Sequence, residues 1–373
     1  VAARWQRGSE FMRPEVSLYL DLVRFTAALV VFGAHFALQR LGGGFLWQLN
    51  DYGHEAVTVF FVLSGYVIAY ASDTRETTVR EYAISRLARL YSVALPAVLL
   101  TVLLDRVGSH WRPQGYLSAW GIDPEPSGRV IVSALTFTNE IWTQSLRLGS
   151  NAAYWSMGYE VPYYVLFGLA HFTQGRWRWP LVAGALVLAG PSIAASFPLW
   201  LIGVGVYRYT RDRTPSAGTG LWLFGGSLLM WLAYELAAQR WGRLTMAGNV
   251  WFKRREWMQD YLVGSFFAVN LIGFQAAAER LGAPLLRQAA RIRWLAGATF
   301  TLYLCHFPVA QFIVAFSPWP NTNPLSHALV GVGTLVAVFL LASVTERRKQ
   351  AWRRLFERCW PASKRPTPVG HPP

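Results

Sequence analysis

Cysteine is nearly missing from this 373-residue chain, which carries only Cys305 and Cys359. The first lies inside an apolar run and the second in a basic tail, so no stabilising disulfide is expected. No Cys/His cluster has the spacing of zinc ligands, and no metal site is expected. Charge is scarce as well: 15% of residues are charged against 53% hydrophobic, and the mean hydropathy is +0.25. Acidic residues are the scarcer kind, with 20 Asp and Glu against 35 Lys and Arg, a formal charge of +15. Such an excess can mark a nucleic-acid binder. Here the basic residues fall between apolar runs and in the tail, the pattern of a polytopic membrane protein, so no nucleic-acid partner is expected. Internal repeats and a low-complexity core are absent, and no fused soluble domain is expected. The first apolar run is long and has no small-residue cleavage site after it, so a cleavable signal peptide is not expected either.

What the chain has in quantity is apolar sequence of bilayer-crossing length, together with 18 tryptophans of the kind that line membrane interfaces. The runs 18–38, 55–71, 90–104, 153–172, 180–196, 197–209, 219–239, 260–278, 294–316 and 324–345 predict an all-α helical bundle of about ten transmembrane helices. The fifth and sixth runs are short and meet at Phe197-Pro198. The interval 105–151 holds Pro113, Pro124 and Pro126, and its apolar piece 130–142 is interrupted by Asn139 and Glu140. It reads as an extramembrane loop with a re-entrant or interfacial piece. Counting that piece as a span would put the later basic runs on the wrong face. Ten spans with both termini cytoplasmic gather Arg75, Arg80, Arg86 and Arg89 inside, along with the arginines of 176–178, 208–213, 280–293 and the tail. Residues 1–11 read as a cloning leader, with Gly8-Ser9-Glu10-Phe11 as the scar before Met12. The membrane domain is then 12–346, followed by a basic cytoplasmic tail, 347–373, expected to be disordered.

Five stretches interrupt this apolar background with chemistry. In 19–36, YLDLVRFTAALVVFGAHF, an otherwise lipid-compatible helix carries Asp21, Arg24 and His35. Ionisable groups at membrane depth are costly and point to function. Arg24 and His35 are eleven residues apart, three helical turns plus about 20°, so they share a face roughly 16 Å apart along the axis. Asp21 is placed to pair with Arg24. In 56–70, AVTVFFVLSGYVIAY, the pair Ser64-Gly65 permits close helix approach. Arg86 and Arg89 in SRLARLY share a helix face at the membrane boundary, and serve either as topogenic charges or as a phosphate clamp. Glu160 in YWSMGYEVPYYVLF needs a partner or a proton in its apolar helix, and a histidine on a neighbouring helix is a natural one. Tyr303 and His306 in ATFTLYLCHFP complete the set, His306 being either a structural or a catalytic histidine.

The order LDLVRFTAALVVFGAHF, VFFVLSGYVIAY, RLARLY, YWSMGYEVPYYVLFG and FTLYLCHFPV resembles acyltransferase family 3 over nearly all of 18–345. These are polytopic bacterial membrane proteins that O-acylate cell-surface carbohydrates. The first-helix motif departs from the usual pattern, because Leu22 and Val23 follow Asp21 where a small residue is common. By this resemblance His35 and Glu160 are the catalytic residues, and Arg24, Arg86 and Arg89 bind the donor. Ser64, Tyr303 and His306 are possible substrate contacts. The donor implied is an acyl-coenzyme A, acetyl-CoA above all, used as a substrate with no permanently bound cofactor. The acceptor implied is a glycan or lipid-linked saccharide, handled in the bacterial inner membrane among membrane lipids. A histidine base oriented by a carboxylate suits such a transfer. A transporter or flippase shares polar stripes and Gly-rich spans, but its two pseudo-symmetric halves are not found. Acylation of lipid or protein is the nearer rival. The oligomeric state is open.

Overall fold

The computed structural model describes residues 12–117, 123–249 and 251–361. The leader 1–11 and the tail beyond residue 361 lie outside the described residues. The helices in chain order are α1 (Pro14–Phe36), α2 (Gln39–Gly42), α3 (Tyr52–Thr74), α4 (Val79–Trp111), α5 (Pro113–Leu117) and α6 (Gly128–Leu135). They continue with α7 (Met157–Phe172), α8 (Arg178–Ala189), α9 (Pro191–Asp212), α10 (Ala217–Trp241), α11 (Trp257–Ala276) and α12 (Ala278–Leu281). The last are α13 (Ala283–Arg287), α14 (Ala289–Ala296), α15 (Thr299–Ala315), α16 (Pro324–Val344) and α17 (Lys349–Cys359). Among the described residues there is no strand-built sheet, so the all-α expectation holds.

Each of the ten apolar runs contains a helix. Five helices (α1, α3, α4, α10 and the helical stretch that begins with α16) are individually long and apolar enough to cross a membrane. The pair α14 and α15, bent by 49°, makes a sixth. Ten crossings is therefore still an expectation.

Local signals explain several boundaries. Pro14 and Pro324 occupy first helical turns, where a missing N–H costs nothing. Thr78 and Glu81 close a capping box at the start of α4. The break between the fifth and sixth apolar runs differs from expectation. It falls at Gly190, with φ +92°, while Pro198 sits inside α9. The reason is packing: a Cβ at Gly190 would lie 2.7 Å from the Trp142 backbone, so the chain turns where only glycine fits. The interval 105–151 also contains more helix than foreseen, because α4 runs on to Trp111. Likewise α17 extends over part of the tail expected to be disordered, and it packs on α4.

The bundle is organised around α3. It packs against α1, α9 and α11, and 78% of its most apolar window is buried, against 17% for the peripheral α10. Gly65 and Gly203 make the α3–α9 crossing possible. A Cβ at Gly65 would sit 2.0 Å from the Trp200 carbonyl oxygen, and one at Gly203 would sit 1.9 Å from that of Val62. The reading of Ser64-Gly65 as a close-packing pair is thus realised by its glycine. On α16, Val330, Thr334, Val338 and Ala342 are buried while Val332, Val336, Leu340 and Val344 are exposed. An exposed face this apolar suits lipid better than water.

Candidate active site

A cavity that sets charged groups in a largely apolar wall opens inside the bundle, between α1, α3, α4, α7 and α15. Its ionisable lining is Arg24, Arg89, Glu160 and Glu346, and its hydroxyl lining includes Ser64, Ser156, Thr299 and Tyr303. Phe60, Phe61, Val57 and Phe300 supply apolar wall. All five stretches singled out in the sequence therefore converge here, through Arg24, Ser64, Arg89, Glu160 and Tyr303.

Glu160 is held by hydroxyls. Ser64 Oγ donates to its Oε1 at 2.8 Å, and the Tyr164 hydroxyl, one turn further along α7, donates to the same oxygen. Tyr303 donates to Ser156 Oγ at 2.8 Å, which ties α15 to the turn that precedes α7. Glu346 caps α15: its Oε2 accepts from the Phe300 and Thr301 backbone N–H groups, each at 3.0 Å. Nothing in the motifs flagged Glu346. Its only signal was a carboxylate directly after the last apolar run.

The arginines of this cavity are under-satisfied. Arg24 reaches Asp21 at 3.5 Å, yet its Nε is buried without a partner. The Arg89 side chain has no hydrogen-bond partner among the described residues, although it lines the cavity. Guanidinium groups in that condition suit an incoming anion with several oxygens. Arg86 is different. It is buried and ion-paired with Glu76, it lies over the Tyr82 and Tyr164 rings, and it does not line the cavity. The two arginines expected to act together are thus separated: Arg89 faces the cavity, and Arg86 supports the tyrosine that holds Glu160.

His35 and Glu160 are not joined by a hydrogen bond among the described residues, which corrects the expected direct pairing. The partner of His35 is the other histidine: His35 Nδ1 and His306 Nε2 are 2.7 Å apart, and the rings stack 5.1 Å between centroids. His306 Nδ1 lies 2.7 Å from the Leu302 carbonyl oxygen. A carbonyl can only accept, so His306 Nδ1 carries the proton and its Nε2 presents a lone pair. His35 Nδ1 must then donate, which leaves the lone pair of neutral His35 on Nε2. His306 is wholly buried, whereas His35 is partly accessible. An imidazole fixed in this tautomer can take a proton at Nε2. Neither histidine lines this cavity, but Tyr303, one turn before His306 on α15, does. A pairing 271 residues apart in sequence left no local trace from which to foresee it.

Comparison with known proteins places this geometry in a family. A family model described as an acyltransferase domain, that of acyltransferase family 3, matches residues 17–344. The chain is 28% identical over 189 residues to the acyltransferase MdmB of Streptomyces mycarofaciens, covering 47% of this chain and 46% of that protein. It is 27% identical over 157 residues to the exopolysaccharide production protein ExoZ of Rhizobium meliloti strain 1021, covering 38% and 43%. The chain thus spans less than half the length of these curated relatives. No solved structure matches. The chain belongs to acyltransferase family 3, and five or six of its helices are long and apolar enough to cross a membrane.

Proposed function

We propose that this member of acyltransferase family 3 is an O-acetyltransferase of the bacterial inner membrane, with both termini cytoplasmic. It takes the acyl group from cytoplasmic acetyl-CoA and delivers it to a hydroxyl of a cell-surface or exported glycan. The observation that carries this reading is the cavity itself, which sets two under-satisfied arginines beside a hydroxyl-bound carboxylate within an apolar bundle. The name of the exopolysaccharide relative favours a saccharide acceptor.

In this scheme Arg89 and Arg24 hold anionic groups of the donor, and Arg86 keeps Tyr164 and Glu160 in place. His35 Nε2 removes the proton from the acceptor hydroxyl as its oxygen attacks the thioester carbonyl. The C–O bond forms, the C–S bond breaks, and the proton passes from His35 to the coenzyme A thiolate. His306, rather than a carboxylate, holds the His35 tautomer.

The test is incubation of purified protein with acetyl-CoA and candidate glycans, read by mass spectrometry. Growth of the glycan by one acetyl group is the expected result. Acetyl groups appearing on lipid or protein instead, or an acetyl-CoA pool that is not consumed, would overturn it.

A further inference from the structure

Beyond the cavity lies a second polar cluster, at the end of the bundle where α3 and α11 begin. His54 Nε2 is 2.9 Å from Asp260 Oδ1, and Thr58 donates to the same oxygen. Arg254 Nη2 donates to Asp260 Oδ2 at 2.6 Å and lies 2.9 Å from His54 Nε2. Asp260 calls for a proton on His54 Nε2 and Arg254, which can only donate, calls for a lone pair there; either way Nε2 is engaged, and Nδ1 makes no hydrogen bond among the described residues. The side chain of Arg254 is only 8% exposed, and its Nε and Nη1 are buried without a partner. Its guanidinium sits against Trp155, Phe61 and Tyr159, with centroid distances of 5.2, 5.7 and 5.8 Å.

This cluster adjoins the cavity. Phe61 carries Arg254 on one side and walls the cavity, and Ser156, next after Trp155, lines it too. Its charges balance in number: Lys253 pairs with Glu140 and Arg254 with Asp260, while Glu256 accepts from the Arg255 backbone N–H and lies 4.0 Å from His54 Nε2. A phosphate or carboxylate ligand finds no net attraction in such a balance. A neutral molecule with many hydroxyls does find partners, since planar charged groups accept and donate to hydroxyls beside an aromatic surface.

We propose that His54, Asp260, Arg254 and Trp155 form the acceptor subsite, which holds a neutral saccharide with one hydroxyl toward His35; Gly53, next to His54, packs against Ala34, next to His35, where an added Cβ would lie 2.8 Å from the Ala34 Cβ. This rests on the saccharide-acceptor reading above. Trp155 and His54 are the partly accessible members, and they make the first contacts. Asp260 and Arg254 position His54 from behind.

The experiment is binding of the purified full chain to an array of neutral and acidic oligosaccharides, with coenzyme A titrated in parallel. Wild type should bind neutral members. Trp155→Ala and His54→Gln should each weaken that binding by about tenfold, as aromatic anchors do, and Trp155→Phe should restore most of it. Coenzyme A affinity should stay within about twofold for all three, since the donor groups lie elsewhere. A readout on unmodified protein guards against misfolding: neutral glycan should reduce carbethoxylation of His54 by diethyl pyrocarbonate, and coenzyme A should not. Binding of acidic glycans only, variants that bind like wild type, or unprotected His54 would each overturn the subsite. Failure of the wider functional reading would show separately, as wild-type protein that neither binds coenzyme A nor consumes acetyl-CoA.

Discussion

Two arginine environments in this bundle make an instructive contrast. Arg243 is saturated: it meets Glu55 at 2.5 Å, Glu235 at 2.9 Å and Asp51 at 3.6 Å, and it covers the Tyr52 ring. Glu55 is itself completed by Gln259 at 2.8 Å and Trp231 at 2.9 Å. That network clamps α3, α10 and α11 together and leaves no donor looking for a partner. Arg24 and Arg89 line a cavity and are left under-satisfied by their own chain. Burying a charge without full pairing is costly, so it persists where something outside the chain completes it. In this pair the saturated arginine is architectural, and the unsaturated ones face the cavity.

The largest effect expected from breaking this distinction is at the base. His35→Ala should lower transfer by at least about 100-fold, the lower end of what general base catalysis supplies. Its thermal stability and coenzyme A affinity should stay near wild type, and a folded His35→Ala protein that acylates at the normal rate would remove His35 from the mechanism. Glu55→Ala belongs to the architectural class. Removing one partner of a buried, hydrogen-bonded ion pair costs about 3–5 kcal/mol, so thermal unfolding should shift strongly downward. Activity per folded molecule should change little, and a loss of activity at unchanged stability would place Glu55 in the site instead.

His306→Gln tests the histidine pair. It should lower kcat by about tenfold with the donor KM unchanged, because it disturbs the tautomer of His35 rather than binding. A purely structural His306 predicts lost folded yield and unchanged kcat in what remains. Glu160→Gln should sit between these, since an amide keeps the Ser64 and Tyr164 contacts without the charge. Transfer at the wild-type rate would assign Glu160 to packing.

Much of the fold was legible, because apolar run length and helix-start signals such as Pro14 and Thr78-Glu81 act locally. The residues of the candidate site stood out one by one, since Arg24, His35, Arg89 and Glu160 are conspicuous in apolar sequence. Its pairings were not. Glu160 and Ser64 lie 96 residues apart and His35 and His306 lie 271 apart, so their meeting depends on how α1, α3, α7 and α15 pack. Spacing also placed Arg86 and Arg89 on one face, but Glu76 claims Arg86, and of the two Arg89 alone lines the cavity. The α8–α9 break moved to Gly190 because of contact with Trp142, a segment distant in sequence.

The contrast between the two arginine classes is tested most directly by isothermal titration of coenzyme A into three proteins. Lysine keeps the charge but not the bidentate geometry. Arg89→Lys should therefore weaken binding by about tenfold, while Arg243→Lys, at a temperature where it is folded, should bind like wild type. Equal affinity for wild type and Arg89→Lys, or an Arg243→Lys protein that loses coenzyme A while folded, would contradict the account.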